Sequence, residues 1–281
     1  MYYLSLNPEI VFRKNNDEDL LENCYTVKVT KYGKYMDLVA CEPKEPRQPN
    51  CKKISDGYYV NTVTGQFLTV KKSDNRKENL AILRKSANQL YKLIYSNFID
   101  NNGFHEVLTY SVPQNDTKEV YHDFKIYWQK LRYKYPDLGY ISVLEPTKKG
   151  AWHLHILLKD VKNPYSFISY QFIRDCWNHG FVYIAKMRKE VNYGNYFRKK
   201  INKSNELLKF YESGVRYFRH SRNIKKPLTY KTNVWMVEKM IENGMYSTIN
   251  QYSLDVNQIN NDGEESTLNK IYYKFLVRKD N

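Results

Sequence analysis

No apolar run in the 281-residue chain approaches the roughly 18–20 residues that cross a bilayer, so a membrane partner is not expected. The opening Met1-Tyr2-Tyr3-Leu4-Ser5 has neither the basic region nor the apolar core of a signal peptide. Cysteine is scarce. Cys24, Cys41, Cys51 and Cys176 include no pair at C-x-x-C spacing, which excludes a zinc signature and a disulfide framework in a chain of this length. A reduced, cytoplasmic setting is therefore the expectation. Acidic residues are also short: Lys+Arg is 45 against 30 Asp+Glu, for a net charge of +15 and a pI near 9.4. Such a surplus points to a polyanionic partner, although positive charge alone also keeps a chain soluble.

Aromatic residues, by contrast, are abundant, with 27 Tyr, 12 Phe and 4 Trp. Many of the tyrosines stand beside Lys, Arg or Asn. Rings next to cations suit single-stranded nucleic acid, where bases stack and phosphates are neutralised. A general bias of the chain towards Lys, Asn and Tyr explains any single Tyr equally well.

Three segments are expected. Residues 1–75 read as a small β-rich module with two hairpins, Tyr25–Thr30 with Tyr35–Ala40 about Gly33, and Gly57–Val60 with Phe67–Lys71 about Gly65. A Pro-rich loop over 42–49 separates them. Residues 76–230 follow a different pattern. Helices are predicted over 75–97, 117–134, 170–177 and 189–203 from apolar spacing of three and four, and strands over 106–112, 140–145, 152–158 and 181–184. The order suits an α+β antiparallel sheet of ferredoxin-like type with helices on one face. In the extension 231–281, Asn233 can cap a helix over 234–243, 255–267 read as a polar loop and 271–277 as a strand. This extension either belongs to the preceding domain or forms a separate helper.

The chemistry concentrates at Trp152-His153-Leu154-His155-Ile156-Leu157-Leu158. Side chains alternate along a strand, so His153 and His155 share one face at roughly 6–7 Å, while Trp152, Leu154, Ile156 and Leu158 turn towards a core. Two imidazoles on one face can converge on a divalent ion. The tight turn Lys148-Lys149-Gly150 pairs this strand with Tyr140–Glu145, which brings the Glu145 carboxylate to the histidines. A carboxylate in the set suits Mg²⁺ or Mn²⁺, and three ligands leave positions open for a substrate oxygen. Downstream, Asn192-Tyr193-Gly194-Asn195-Tyr196-Phe197-Arg198-Lys199-Lys200 places Tyr196 on one helix face with Lys199 or Lys200. A phenol beside an ammonium can attack phosphorus when a metal polarises the scissile oxygens. A basic, solvent-facing helix with a packing Tyr is the plainer alternative.

Together these residues resemble the HUH endonuclease superfamily, in particular the rolling-circle replication initiators of plasmids and bacteriophages, over about residues 75–230. Thr109 in Val107-Leu108-Thr109-Tyr110 is similar to their first motif. Glu145, Gly150 and His153-Leu154-His155 resemble the metal-binding second motif, and Tyr196-Phe197-Arg198-Lys199 the third. Many relatives carry a second Tyr after the Lys, where this chain has Lys200. Tyr193 is a candidate second nucleophile, but has no Lys three residues later.

The resemblance implies an RRM-like nuclease core with Glu145, His153 and His155 holding Mn²⁺ or Mg²⁺ and Tyr196 and Lys199 acting on DNA. It implies an endonuclease and strand transferase that starts rolling-circle replication through a 5′-phosphotyrosine. The DNA would be an origin, single-stranded or extruded as a hairpin, with a host helicase and polymerase as partners. Thr109, Lys186, Arg188, Arg198, Lys200, Lys203, Arg219, Arg222, Lys225 and Lys226 are the expected DNA contacts. His105, His122, His179 and His220 have no ligand spacing with one another and read as surface or capping residues. Two other readings stay open. A transposase or relaxase would use the same chemistry, although relaxases usually resemble a three-histidine cluster. A non-catalytic nucleic-acid-binding protein would use its sheet as a stacking platform.

Overall fold

The computed structural model describes residues 9–16, 26–41, 51–55, 58–62, 64–69, 80–98, 102–160, 162, 168–188, 190–203, 210–212, 214–259 and 265–279. The fold is α+β, and the chain divides into two compact units, residues 1–69 with 227–281, and residues 70–226.

The first unit holds β1 (Glu9–Asn16), β2 (Thr26–Tyr32), β3 (Tyr35–Cys41), β4 (Cys51–Ser55), β5 (Tyr58–Asn61) and β6 (Phe67–Thr69). Both expected hairpins are present, β2 with β3 and β5 with β6. Gly33 turns the first at φ 58°, a left-handed value that suits glycine. The Pro-rich stretch lies outside the described residues. Strands from the far end of the chain complete the main sheet, in the order β1-β13-β14-β3-β2-β12. The second unit supplies β7 (Phe104–Leu108), β8 (Leu138–Pro146), β9 (Trp152–Asp160), β10 (Val182–Lys186) and β11 (Phe218–His220), with helices α1 (Leu80–Asn97), α2 (Thr117–Lys134), α3 (Tyr170–Trp177) and α4 (Tyr193–Lys203). Then β12 (Leu228–Asn233), α5 (Val234–Glu242), β13 (Tyr246–Ile259) and β14 (Glu265–Arg278) return to the first unit. Val27, Val29, Met36 and Leu38 alternate inward along β2 and β3 and meet Val234, Val237 and Leu276 in a core.

Two expectations fail here. Residues 255–259 and 265–267 are strand, because their polar side chains sit on a backbone ladder between β13 and β14. Asn233 occupies the cap position of α5 but makes no side-chain capping bond.

The second unit carries an all-antiparallel sheet in the order β10-β7-β9-β8-β11. The α2 boundaries follow from the sequence. Asp116 accepts the Lys118 N–H, and Val120, Phe124, Tyr127 and Leu131 form the buried stripe. Ser169 caps α3, which ends at left-handed Asn178. For α4, the Asn192 side-chain oxygen accepts the Asn195 N–H at 2.8 Å, so the helix starts at Tyr193 rather than 189. Strand β7 stops at Leu108 instead of 112, where Thr109 and Ser111 bond the irregular 179–181 segment.

Helices cover both faces of this sheet, not one. The ladder pairs Val107 with His155 and Val143 with His155, and Glu106 with Ile156, so His105, Val107, His153, His155 and Glu145 share one face. On that face α4 packs Phe197 and Tyr193 against His155 and His105, at ring separations of 5.6 and 5.3 Å. On the other, α2 brings Tyr127 to Glu106 and Trp128 to Tyr140. Leu154, Ile156 and Leu158 of β9 are buried there. Burying such side chains contributes about 1.5–3 kcal/mol each, which anchors β9 while its opposite face carries two imidazoles.

Candidate active site

The β8–β9 hairpin builds the centre. Its turn closes with Thr147 N–H to the Ala151 carbonyl at 2.7 Å and Gly150 N–H to the Thr147 carbonyl at 3.0 Å. Gly150 sits at φ +92°, and a Cβ there would stand 2.7 Å from the Phe210 ring, so conformation and space both require glycine. The turn fixes the register that sets Glu145 directly opposite His153, with His155 one pair further along. The ligand atoms of Glu145, His153 and His155 all lie within 4.8 Å of one another. Donors at about 2.0–2.1 Å from one Mg²⁺ ion would need only a small inward shift from that spread.

Burial sets the protonation. It lowers His105, His153 and His155 to about 4, and the neighbouring His155 adds to the depression at His105 and His153. All three are neutral at pH 7, the form that ligates metals. His155 Nδ1 faces His105 Nε2 at 3.1 Å, so one of them carries the shared hydrogen. On the other side His155 Nε2 lies 3.1 Å from Glu145 Oε2. It is not aligned as a donor, and that buried oxygen has no hydrogen-bond partner. With the hydrogen on Nδ1, the Nε2 lone pair faces a carboxylate oxygen, and two acceptors so placed fit a cation between them. The residues present therefore suit a divalent ion.

His105 had read as a surface or capping residue. In the fold it backs His155. Spacing within the sequence could not show this, since the contact forms across the β7–β9 ladder. The only signal was its place two residues before Val107, on the face that alternation assigns to Thr109.

Helix α4 lays its other residues over the centre. Phe197 and Ile201 are buried, while Tyr196 is 43% exposed. The Tyr196 ring lies 6.4 Å from that of His155. One turn on, Lys200 Nζ donates to the Tyr196 hydroxyl at 3.3 Å and forms an ion pair with Glu145 Oε1. Burial holds the Lys200 ammonium below its usual range. Lys199, the residue at motif spacing, is exposed. Tyr193 is buried, stacks edge-on against His105 and accepts the Arg188 N–H at 3.3 Å.

Residues 107–205 match the model of a family of replication-associated proteins, the ORF2 type. The matched stretch contains Thr109, Glu145, His153, His155, Tyr196 and Lys200, and it supports a replication initiator with DNA as its partner. No curated protein and no solved structure matches the chain. Among the described residues no helix is long and apolar enough to cross a membrane.

The expected DNA contacts of this replication-associated segment do not form one patch. Lys186 and Arg188 stand at the β10 edge, while Arg219 and Arg222 stand at the β11 edge, the opposite side of the sheet. The side chain of Lys203 lies outside the described residues. Arg198 donates to Asn195 at 2.7 Å and lies over the Tyr91 ring of α1 at 4.3 Å. Thr109 donates its hydroxyl to the Phe181 carbonyl at 3.1 Å. Lys225 and Lys226 are exposed, with the Lys225 backbone held by Asn97.

Proposed function

We propose that the chain is a metal-dependent, site-specific DNA nicking-closing endonuclease that initiates rolling-circle replication. The observation that carries the reading is the chain of polar interactions from the Tyr196 hydroxyl through Lys200 to Glu145, one member of the Glu-His-His group. Glu145, His153 and His155 would hold Mn²⁺ or Mg²⁺, which when bound polarises the scissile phosphodiester. Tyr196 gives up its hydroxyl proton and its oxygen attacks phosphorus. The bond from phosphorus to the 3′ oxygen breaks, and that oxygen takes a proton. The 5′ side of the break is then a phosphotyrosine ester, and the free 3′-hydroxyl primes a host polymerase behind a host helicase. Attack by a 3′-hydroxyl on the ester reverses the step and closes a strand. Lys200 orients the phenol, as the lysine of the family motif would, and displaces Lys199 from that role. The exposure of Tyr196 and the burial of Tyr193 favour Tyr196 as the nucleophile.

The test is incubation with labelled origin DNA and Mn²⁺, followed by denaturing electrophoresis. Wild-type protein is expected to carry label covalently, and Tyr196→Phe none. A persistent adduct in that variant removes Tyr196 from the role. Binding that survives EDTA without any nicking in Mn²⁺ would leave the non-catalytic binding protein as the better reading.

A further inference from the structure

The face of the sheet turned away from the histidines carries a second feature. Between β8, β11 and α2 lies a cavity of about 770 Å³, within the range of sites that enclose a small organic ligand. Trp128 and Tyr140 line it, half-buried, with ring centroids 4.5 Å apart and planes at 64°. Arg132 and Arg222 line it as well and are exposed, and among the described residues neither pairs with a carboxylate. Asp137, the one acidic group in the lining, is engaged by Lys162 at 2.9 Å. His220 Nδ1 meets the Ser221 carbonyl at 2.9 Å. A carbonyl only accepts, so the hydrogen is on Nδ1 and the neutral ring keeps Nε2 as an acceptor.

A second cavity, of about 740 Å³, shares Tyr140 and His220 with the first and adds Arg216 and Arg219. The Arg219 guanidinium lies 3.4 Å over the Tyr121 ring, and its Nε is buried without a hydrogen-bond partner. Stacking rings, unpaired guanidinium groups and a base-edge acceptor in one recess match the needs of an unpaired nucleotide.

Position separates this recess from the candidate active site. Tyr140 and Glu145 lie five residues apart on β8 with side chains on opposite faces, roughly 17 Å along the strand. The recess cannot hold the phosphodiester that meets Tyr196.

We infer that the β8–β11 edge binds single-stranded DNA, one base resting against Trp128 and Tyr140 with its phosphate on Arg132 and Arg222. The inference rests on the reading of the chain as a protein that acts on DNA. It adds a grip on the strand remote from the cut.

The experiment uses the full chain in EDTA with a fluorescein-labelled oligothymidylate, followed by anisotropy. Trp128→Ala should weaken binding about tenfold, and Trp128→Phe, which keeps a ring, should largely restore it. Arg132→Ala, at an exposed position that folding does not need, should weaken binding and flatten its salt dependence by about one unit of log slope. Photo-cross-linking of an iodouracil oligonucleotide should label Trp128 or Tyr140. Unchanged affinity in Trp128→Ala and Arg132→Ala overturns the inference, as does equal Trp128-dependent binding of duplex DNA. The two readings fail separately. Loss of Trp128-dependent binding with nicking intact removes the recess alone. Binding intact in a chain that never nicks removes only the nickase.

Discussion

At the scale of single residues, two neighbours in sequence, Lys199 and Lys200, separate motif spacing from geometry. Lys200 reaches both the Tyr196 hydroxyl and Glu145, whereas Lys199 points to solvent. Lys200→Met is therefore expected to slow single-turnover nicking by about 10²-fold, the effect of losing one preorganised charged group, with Lys199→Met nearly silent. Equal losses would return the role to Lys199. A second residue, Glu106, lies fully buried on the α2 face, where burial pushes its carboxyl up to about 8 while the Tyr127 hydroxyl, 2.5 Å away, opposes the rise. The folded form thus binds a proton that the unfolded chain gives up above about 4.5. Stability from this group is complete below that value and is lost as pH rises through about 8. Thermal unfolding midpoints should fall across that window in wild type and change less in Glu106→Gln. An unaltered pH profile would show that Glu106 is ionised in the fold. The sequence made Glu145 and the histidine pair legible because a tight turn and two-residue alternation are local. It could not rank Lys199 against Lys200, which depends on how α4 rotates over the sheet, nor reveal His105, whose contact crosses strands.

Among the elements, α4 carries the proposed nucleophile and depends on α1 for its seat. Gly194 is buried where a Cβ would stand 3.0 Å from the Tyr95 ring and 3.1 Å from Tyr91, and Arg198 lies over Tyr91 from the next turn. Gly194→Val should push α4 away from α1, costing about 1–3 kcal/mol as overpacking and moving Tyr196 off the centre. Denaturant unfolding together with adduct yield checks this, and a variant of unchanged stability and yield would mean that the rings simply move aside. Elements with their own punctuation were readable. Asp116 and Ser169 mark the starts of α2 and α3, and the apolar stripe of α2 marks its length. The strand ends of β13 and β14 were hidden, since Asn257, Gln258 and Ser266 look like loop residues until their ladder partners are known.

For the molecule as a whole, the net charge of +15 should appear as a steep fall of DNA affinity with salt. Charge reversal at Arg222 and Lys225 should weaken binding and flatten the log–log slope by about one unit for each phosphate left without its cation. No change in affinity or slope would show that this edge faces solvent only. The basic residues between 186 and 226 read as one cluster along the sequence. The order β10-β7-β9-β8-β11 sends them to opposite edges, about 19 Å apart at the spacing of neighbouring strands.

The sheet of the first unit joins Thr26 to Asn233 and Cys41 to Ile271. A ribosome therefore releases β2 and β3 long before their outer partners exist, and releases all of residues 70–226 in between. Pairings over such separations form slowly, and strands with open edges invite association with other chains meanwhile. A message cut short before β12 would yield a chain with every group of the candidate active site and a hairpin bare on both sides. Such a product would threaten the cell through aggregation before any question of its chemistry arose.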